Sequence, residues 1–445
     1  MIHIRALRDK AALKEAAPSI LLVVNTFVWY ITTYAVFNTI VNDLHVLETE
    51  KLGLFAIYFV SIAITAILGS KFFVRARTKS LNIWLFMGAL ATLFLATLSS
   101  DSVLADAFFA FFFGASIGIG LPSCLSYFAD STSVENRGFV GGVIWSTVGV
   151  TVLIFAFLIS NLGQWEAITV LTIWRLLGGI CFSVLNRKHT KPAEQKVPGY
   201  LELLRKREIL LYLFPWVMFS IINFAEAPLL ERVFGAGNFA FMQFVEFALV
   251  GIFAIVGGVV ADFVGRKRVV IAGFVMLGIE YATLSAFSTS QAAFYLFLIL
   301  DGATWGLLFS VFFMAIWGDL GENREKEKYY TLGGLPFILA AFLSVLIKPY
   351  ASDIPPATAF SFASFFLFMA VIPLMYAPET LPEKAMKDRD LKSYSEKALK
   401  KAQKEAEKSQ KKNPDKAEKE SEKGKEEPEE TPEDAEARKL AEKYY

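Results

Sequence analysis

Residues 258–268 read Gly258-Val-Val-Ala-Asp262-Phe-Val-Gly265-Arg266-Lys267-Arg268, where an apolar run gives way to one acid, one glycine and three consecutive bases. Upstream, residues 239–261 carry a single ionisable group, Glu246, and downstream a second apolar run covers 268–288. A bilayer core about 30 Å thick needs about 20 apolar helical residues per crossing. The stretch therefore reads as a tight basic turn between two membrane spans.

Carrying the same ruler outward gives twelve spans. Six fall at roughly 18–41, 52–70, 80–99, 104–128, 138–160 and 166–186, and six at roughly 209–230, 239–261, 268–288, 291–317, 329–348 and 357–377. The period-2 alternation of a lipid-facing barrel is absent, so helices are the spanning solution that satisfies the backbone. Composition agrees: of 445 residues 55% are hydrophobic and 20% charged. The segment from Glu383 onward takes 18 basic and 18 acidic residues, leaving 26 and 25 for the first 382 positions. Charge that sparse cannot cover a water-soluble fold.

Several classes drop out. A net charge of +1 gives no footprint for nucleic acid. Cys124 and Cys181 lie in apolar runs, and His3, His45 and His189 are scattered, so no metal site or cofactor is expected. No nucleotide-binding loop or nucleophile–base constellation appears, which argues against an enzyme. The basic segment 1–17 has no cleavage pattern, so the first apolar run stays as a span. Lys and Arg alternate between loops: 22 fall on the side of the N-terminus, only Lys51, Arg232 and Lys348 on the other, and Arg175 lies within a span. This places both termini in the cytoplasm of a plasma-membrane protein. The expected divisions are a cytoplasmic segment 1–17, a six-helix bundle 18–186, a cytoplasmic loop 187–208 with a short interfacial helix over Tyr200–Arg207, a second bundle 209–380, and a charged, solvated tail 381–445.

The halves are related. Gly114-Ala-Ser-Ile-Gly118 returns as Gly302-Ala-Thr-Trp-Gly306, Asp130 as Asp319, Glu135-Asn-Arg137 as Glu322-Asn-Arg324, and Gly141-Gly142 as Gly333-Gly334. Offsets near 188 for matches in the same order indicate two like bundles with a site between them near the midplane.

The stretch quoted first resembles the G-x-x-x-D-[R/K]-x-G-R-[R/K]-[R/K] loop of the major facilitator superfamily, with Phe263 where a base is usual. The equivalent first-half loop, Gly69…Phe73…Ala76-Arg77-Thr78-Lys79, has lost the Asp and the second Gly. The resemblance covers 18 to about 380. It implies an all-α polytopic membrane protein whose twelve transmembrane helices form two pseudo-symmetric six-helix bundles. It also implies a monomer in which spans one, four, seven and ten line a central cavity. Phe113 to Pro122, Trp174-Arg175 and Pro378-Glu379-Thr380 are similar to sugar-porter and organic-solute-carrier elements.

Intramembrane ionisable groups are default site hypotheses. Asp301, about ten residues into span ten, is the first choice for a proton-coupling carboxylate, with Glu246 in span eight and Glu226 near the outer end of span seven behind it. Asn25, Trp29, Tyr30, Tyr34 and Asn38 on span one, Ser116 and Ser123 on span four, Trp216 and Asn223 on span seven, and Trp305 on span ten form stripes expected to face one another as a substrate pocket. Arg175 and Glu280 are expected to turn inward and pair structurally. Gly258 should let a neighbouring helix approach closely. Asp262 can accept from the N–H groups of another helix start, and Arg266 can pair with nearby acids. With Gly265, Arg137 and Arg324 these make a conformational latch. The reading is a secondary transporter that moves a small polar organic or sugar-like solute by alternating access, with a proton as coupling ion. A non-transporting scaffold acting through the tail and a drug or metabolite exporter are the alternatives.

Overall fold

The computed structural model describes residues 2–99, 102–185, 198–322 and 324–381, and the side chains among them other than those of 2–10 and 75. The expectations for 187–197 and for the tail from 382 lie outside the described residues. No strand occurs among the described residues. Twelve helices are long and apolar enough to cross a membrane: α1 (Ala11–Asp43), α2 (Glu48–Phe72), α3 (Arg77–Thr97), α4 (Val103–Asp130), α5 (Arg137–Ile159), α6 (Gln164–Leu185), α7 (Arg207–Phe234), α8 (Ala236–Val264), α9 (Arg266–Phe287), α10 (Gln291–Leu320), α11 (Glu327–Tyr350) and α12 (Pro356–Tyr376). This is a multi-pass membrane protein.

Two connections are tighter than the sequence suggests. A single residue, Gly235, joins α7 to α8, and a single residue, Gly265, joins α8 to α9; they have φ of +80° and +103°. Only glycine enters that region without strain, so the chain reverses without a loop. The interfacial helix is shorter than expected, Tyr200–Leu203, because Lys206 is already extended as the residue preceding α7. Tyr200 is tied to α2 by a 2.6 Å hydrogen bond between its hydroxyl and that of Ser70.

Within the first half α2 packs on α4 and α6 on both α1 and α3; within the second α8 packs on α10, α9 on α12 and α7 on α11. The duplicated glycines explain the α2–α4 and α8–α10 pairs. A β-carbon on Gly114 or Gly118 would collide with the Tyr58 or Ile62 carbonyl of α2, and one on Gly302 or Gly306 would strike Leu249 or the Phe253–Ala254 backbone of α8. The same small-residue spacing serves the same crossing in each half. The halves meet through α5 against α8 and α2 against α11.

Helix α4 is interrupted at Ile119–Gly120, just before Pro122, and α10 is π-helical over Leu308–Ile316. Ile119 and Leu308 correspond under the offset of 189 that also relates Asp130 to Asp319. Both halves thus have a weakened point at one depth of one helix.

At the seam, Gly138 and Gly258 bring α5 and α8 into backbone contact: a β-carbon on Gly258 would run into the Gly138 carbonyl. Gly334, by contrast, has open space on its β-carbon side. Gly258→Ala should therefore destabilise by on the order of 1–3 kcal/mol, read as a lower thermal unfolding temperature in detergent, while Gly334→Ala leaves that temperature unchanged or raises it.

Candidate functional site

A cavity of about 480 Å³ lies between the halves, walled by α1, α7, α8, α10 and α11 with Trp145 of α5 and Tyr281 of α9. It shares Tyr34, Asn38, Phe224 and Gln243 with a wider vestibule of about 840 Å³, rimmed by Asn42, Glu48, Lys51, Glu231, Lys348 and Tyr350. These rim residues stand at the helix ends away from the basic loops. The floor is aromatic: Trp145 stacks on Phe309 at 4.0 Å between centroids, Phe27 lies 4.9 Å from Trp145, and Trp305 lies 4.9 Å from Phe309.

Of the residues singled out by sequence, Tyr30, Tyr34, Asn38, Asn223, Glu246, Asp301 and Trp305 line this cavity. The others point elsewhere. Helix α4 contributes nothing to the wall, in contrast to what the resemblance implies. Ser116 and Ser123 are fully buried, and the Ser116 hydroxyl donates to the Phe113 carbonyl. Trp216 packs inside the second half, its indole N–H donating to the Gly333 carbonyl at 2.5 Å. Trp29 donates to Thr92 of α3 at 2.7 Å, and the Asn25 amide donates to the Trp174 carbonyl of α6 at 2.8 Å. Glu226 is buried outside the cavity wall, with one carboxylate oxygen lacking a hydrogen-bond partner.

Asn25 and Trp29 instead serve Arg175. Its guanidinium lies 4.1 Å from the Trp29 ring centroid and 4.5 Å from that of Trp84, and donates at 3.0 Å to the Asn25 amide oxygen and the Thr26 hydroxyl. The pairing expected of Arg175 is therefore with aromatic faces and neutral oxygens rather than with an acid.

Three acids from three helices converge in the second half. Asp301 of α10 accepts from the Trp305 indole at 3.1 Å and meets the Glu280 carboxyl of α9, while Glu246 of α8 is its electrostatic neighbour. Glu280 is fully buried, and neither of its oxygens has an N–H or neutral hydroxyl donor. Carboxyls of like charge brought together out of water disfavour ionisation of them all. Glu280 thus belongs with Asp301, a partnership that its separate position on α9 did not disclose.

The opposite end is shut by ions. Asp262 accepts from the Gly138 and Phe139 N–H groups at 3.1 and 2.8 Å, so it caps α5 from the other half. Arg266 pairs with Asp262 and with Asp319 (3.2 Å), and donates to the Val134 carbonyl at 2.6 Å. Arg137 crosses the seam to Asp319 and to Glu322, the latter at 3.0 Å. Arg324 donates to the Tyr329 hydroxyl of its own half at 3.2 Å, and among the described residues it has no hydrogen bond across the seam. Gly265 presents its bare α-carbon to Glu379, which accepts from the Arg266 and Lys267 N–H groups at 2.8 and 3.2 Å.

A second cluster was not anticipated. Arg77 pairs at 2.5 Å with both Asp130 of its own half and Glu327 at the start of α11, and Lys326 pairs with Asp130 at 2.7 Å. Arg77 and Asp130 correspond to Arg266 and Asp319, so this is the same device in the first half. The acid missing at Phe73 is supplied across the seam by Glu327. Its signal was an acid in the first turn of a span, opposite a loop with bases and no acid.

The family model for the major facilitator superfamily matches residues 19–245. Similar solved structures include a double-tryptophan mutant of XylE, 15% identical over 87% of this chain and 99% of that one, with a TM-score of 0.64. FucP, the E. coli fucose:proton symporter, in its outward conformation is 12% identical over 82% and 100%, with a TM-score of 0.61. The proton:xylose symporter XylE bound to 6-bromo-6-deoxy-D-glucose is 14% identical over 83% and 95%, with a TM-score of 0.60. Among curated proteins none has significant sequence similarity to the chain. Identities this low speak for the fold alone, but the family match over half the sequence, with twelve spans in two like halves meeting at a central cavity, establishes that the chain belongs to the major facilitator superfamily.

Proposed function

We propose that this chain is a proton-coupled secondary transporter of a small organic solute, working by alternating access in the plasma membrane with both termini in the cytoplasm. The observation that carries the reading is the Asp301 carboxyl on the wall of a cavity open at one end and ion-locked at the other, with the buried Glu280 behind it. A carboxyl lining a cavity that faces alternate sides exchanges its proton with one compartment and then the other. XylE and FucP are described as proton symporters, which supports a proton-coupled cycle here.

In this reading the structure is the outward-facing state. The vestibule rim carries two of the three bases assigned to the outer side, Lys51 and Lys348, and the closed end carries the basic loops. The Asp262 and Glu327 clusters then act as latches: they hold only while the cytoplasmic ends of the halves touch, and they must break for the cavity to open inward. The sugar-like solute expected from the sequence has fewer partners than anticipated, since Ser116, Ser123 and Trp216 are turned away and the cavity retains the amides of Asn38, Asn223 and Gln243.

Three outcomes are expected. Asp301→Asn in proteoliposomes should abolish gradient-driven accumulation while leaving membrane insertion intact; accumulation at the wild-type level removes Asp301 from coupling. Arg77→Glu should open the cytoplasmic end by removing a buried pair worth about 3 kcal/mol, raising labelling of a cysteine placed at Val140, and the double change with Glu327→Arg should restore protection. In intact cells an impermeant thiol reagent should reach Asn42→Cys and not Glu135→Cys; the reverse pattern overturns the assigned orientation.

A further inference from the structure

Resting on the transport reading above, we propose that the solute is an amphipathic organic cation, a flat aromatic amine or quaternary ammonium, bound against Asp301 and Glu246 in exchange for protons.

The cavity wall has an unusual composition. Thirteen of its 26 lining residues are aromatic, three carry amides, and the ionisable acids are Glu246 and Asp301. Among the described residues no Lys, Arg or His lines it. A polyol needs matched donors and acceptors along its whole length, which three amides and a few phenols do not supply. An anion would be repelled by the two carboxylates. A cation with an apolar body gains on both counts: the ring faces present negative charge to it, and the carboxylates neutralise it in a site of low dielectric.

No base competes for these acids. Asp301 faces Glu246 from α8, and Glu280 and Tyr281 from α9. Glu226 of α7 acts on the same Tyr281, and Tyr30 and Tyr34 of α1 stand across the cavity. The parts of α5 and α11 that reach the wall carry no titratable group. The buried base of the first half, Arg175, is committed to Trp29, Trp84, Asn25 and Thr26. A cation that enters therefore finds acids whose charge only protons otherwise balance, and its binding releases a proton. This stoichiometry makes the carrier an exchanger of cation for proton.

The test uses the full-length protein in lightly buffered detergent with 1-methyl-4-phenylpyridinium as probe and 4-phenylphenol and D-xylose as neutral controls. Tryptophan fluorescence reports occupancy, since Trp145 and Trp305 line the cavity, and a pH dye reports protons. The expected result is saturable quenching by the cation with release of about one proton, an apparent Kd that rises about tenfold for each unit of pH lowered, and neutral controls at least about tenfold weaker. Asp301→Asn and Glu246→Gln should each weaken the cation by about tenfold or more; the wild-type pH series decides the matter should either variant fail to fold. Equal affinity for 4-phenylphenol, or a cation affinity flat in pH, overturns the proposal. Proton flux driven by D-xylose in proteoliposomes without cation binding overturns the cation class and leaves the transport reading standing. Cation binding with proton release, but no flux of any solute, supports the binding assignment and sinks the transport reading instead.

Discussion

A helix start leaves four N–H groups without intrahelical partners, and the usual remedy is a side chain from the residue just before it. Helix α5 has Asn136 in that place, yet Asn136 makes no capping bond; the cap is Asp262, more than a hundred residues later and in the other half. Helix α9 follows Gly265, which has no side chain to offer, and takes its cap from Glu379. Capping α5 from across the seam makes the satisfaction of its backbone conditional on the halves touching. Each charge-assisted bond contributes about 1.5–3 kcal/mol, and Asp262 makes two to backbone besides its pair with Arg266. The contact is possible only because Gly138 and Gly258 let the two backbones meet. Everything else at that end, including the Arg137 and Arg266 guanidiniums converging on Asp319, is arranged around this approach.

The two halves share a backbone plan and divide the charge unequally. In the second half the latch acid is Asp262; in the first the corresponding residue is Phe73, and Glu327 of α11 takes over from across the seam. The loss therefore increased the number of ion pairs linking the halves. Deeper in, the first half buries a cation, Arg175, held by two indole faces, whereas the second buries Asp301 and Glu280 and sets Glu246 on the cavity wall. Unlike charge placement on a like framework puts the intramembrane carboxyls on one side of the cavity and makes α1 of the other side an aromatic wall, with Phe27, Tyr30 and Tyr34.

The features that were legible in the sequence are those set by length and local chemistry. Span count follows from runs of about 20 apolar residues, and the duplicated Gly-x-x-x-Gly marks a helix crossing wherever it occurs. Asp301 was legible because a carboxyl in a span is costly wherever it points. What failed depended on helix rotation. Ser116, Ser123 and Trp216 have pocket chemistry, but each is buried within its own bundle, Ser116 bonded to its own helix backbone and Trp216 to Gly333. A polar residue every third or fourth position gives a face without saying which neighbour the face meets. The partners of Glu280, Glu327 and Glu379 were hidden for the complementary reason: each comes from a distant segment, and only the packing brings them together.

Asp301 and Asp319 stand on one helix, 18 residues or about 27 Å apart, the first at the cavity and the second at the centre of the ion cluster. Between them α10 is π-helical from Leu308 to Ile316 and carries Phe309 and Phe313, the rings that floor the cavity. A regular helix would transmit any tilt at Asp301 rigidly to Asp319. A π-helical stretch has its hydrogen bonds one residue out of step, so shifting it back to α geometry changes the rotation of one end relative to the other at little cost in backbone bonds. The rings that Trp145 touches must move in that shift, because Phe309, stacked on it, and Phe313, edge-on to it, lie within the stretch. Part of the cavity floor, Phe309 and Phe313, therefore belongs to the nine residues that join Asp301 to the ion cluster. A change of packing in the cavity and a change at the ion cluster thus act on a single stretch of backbone.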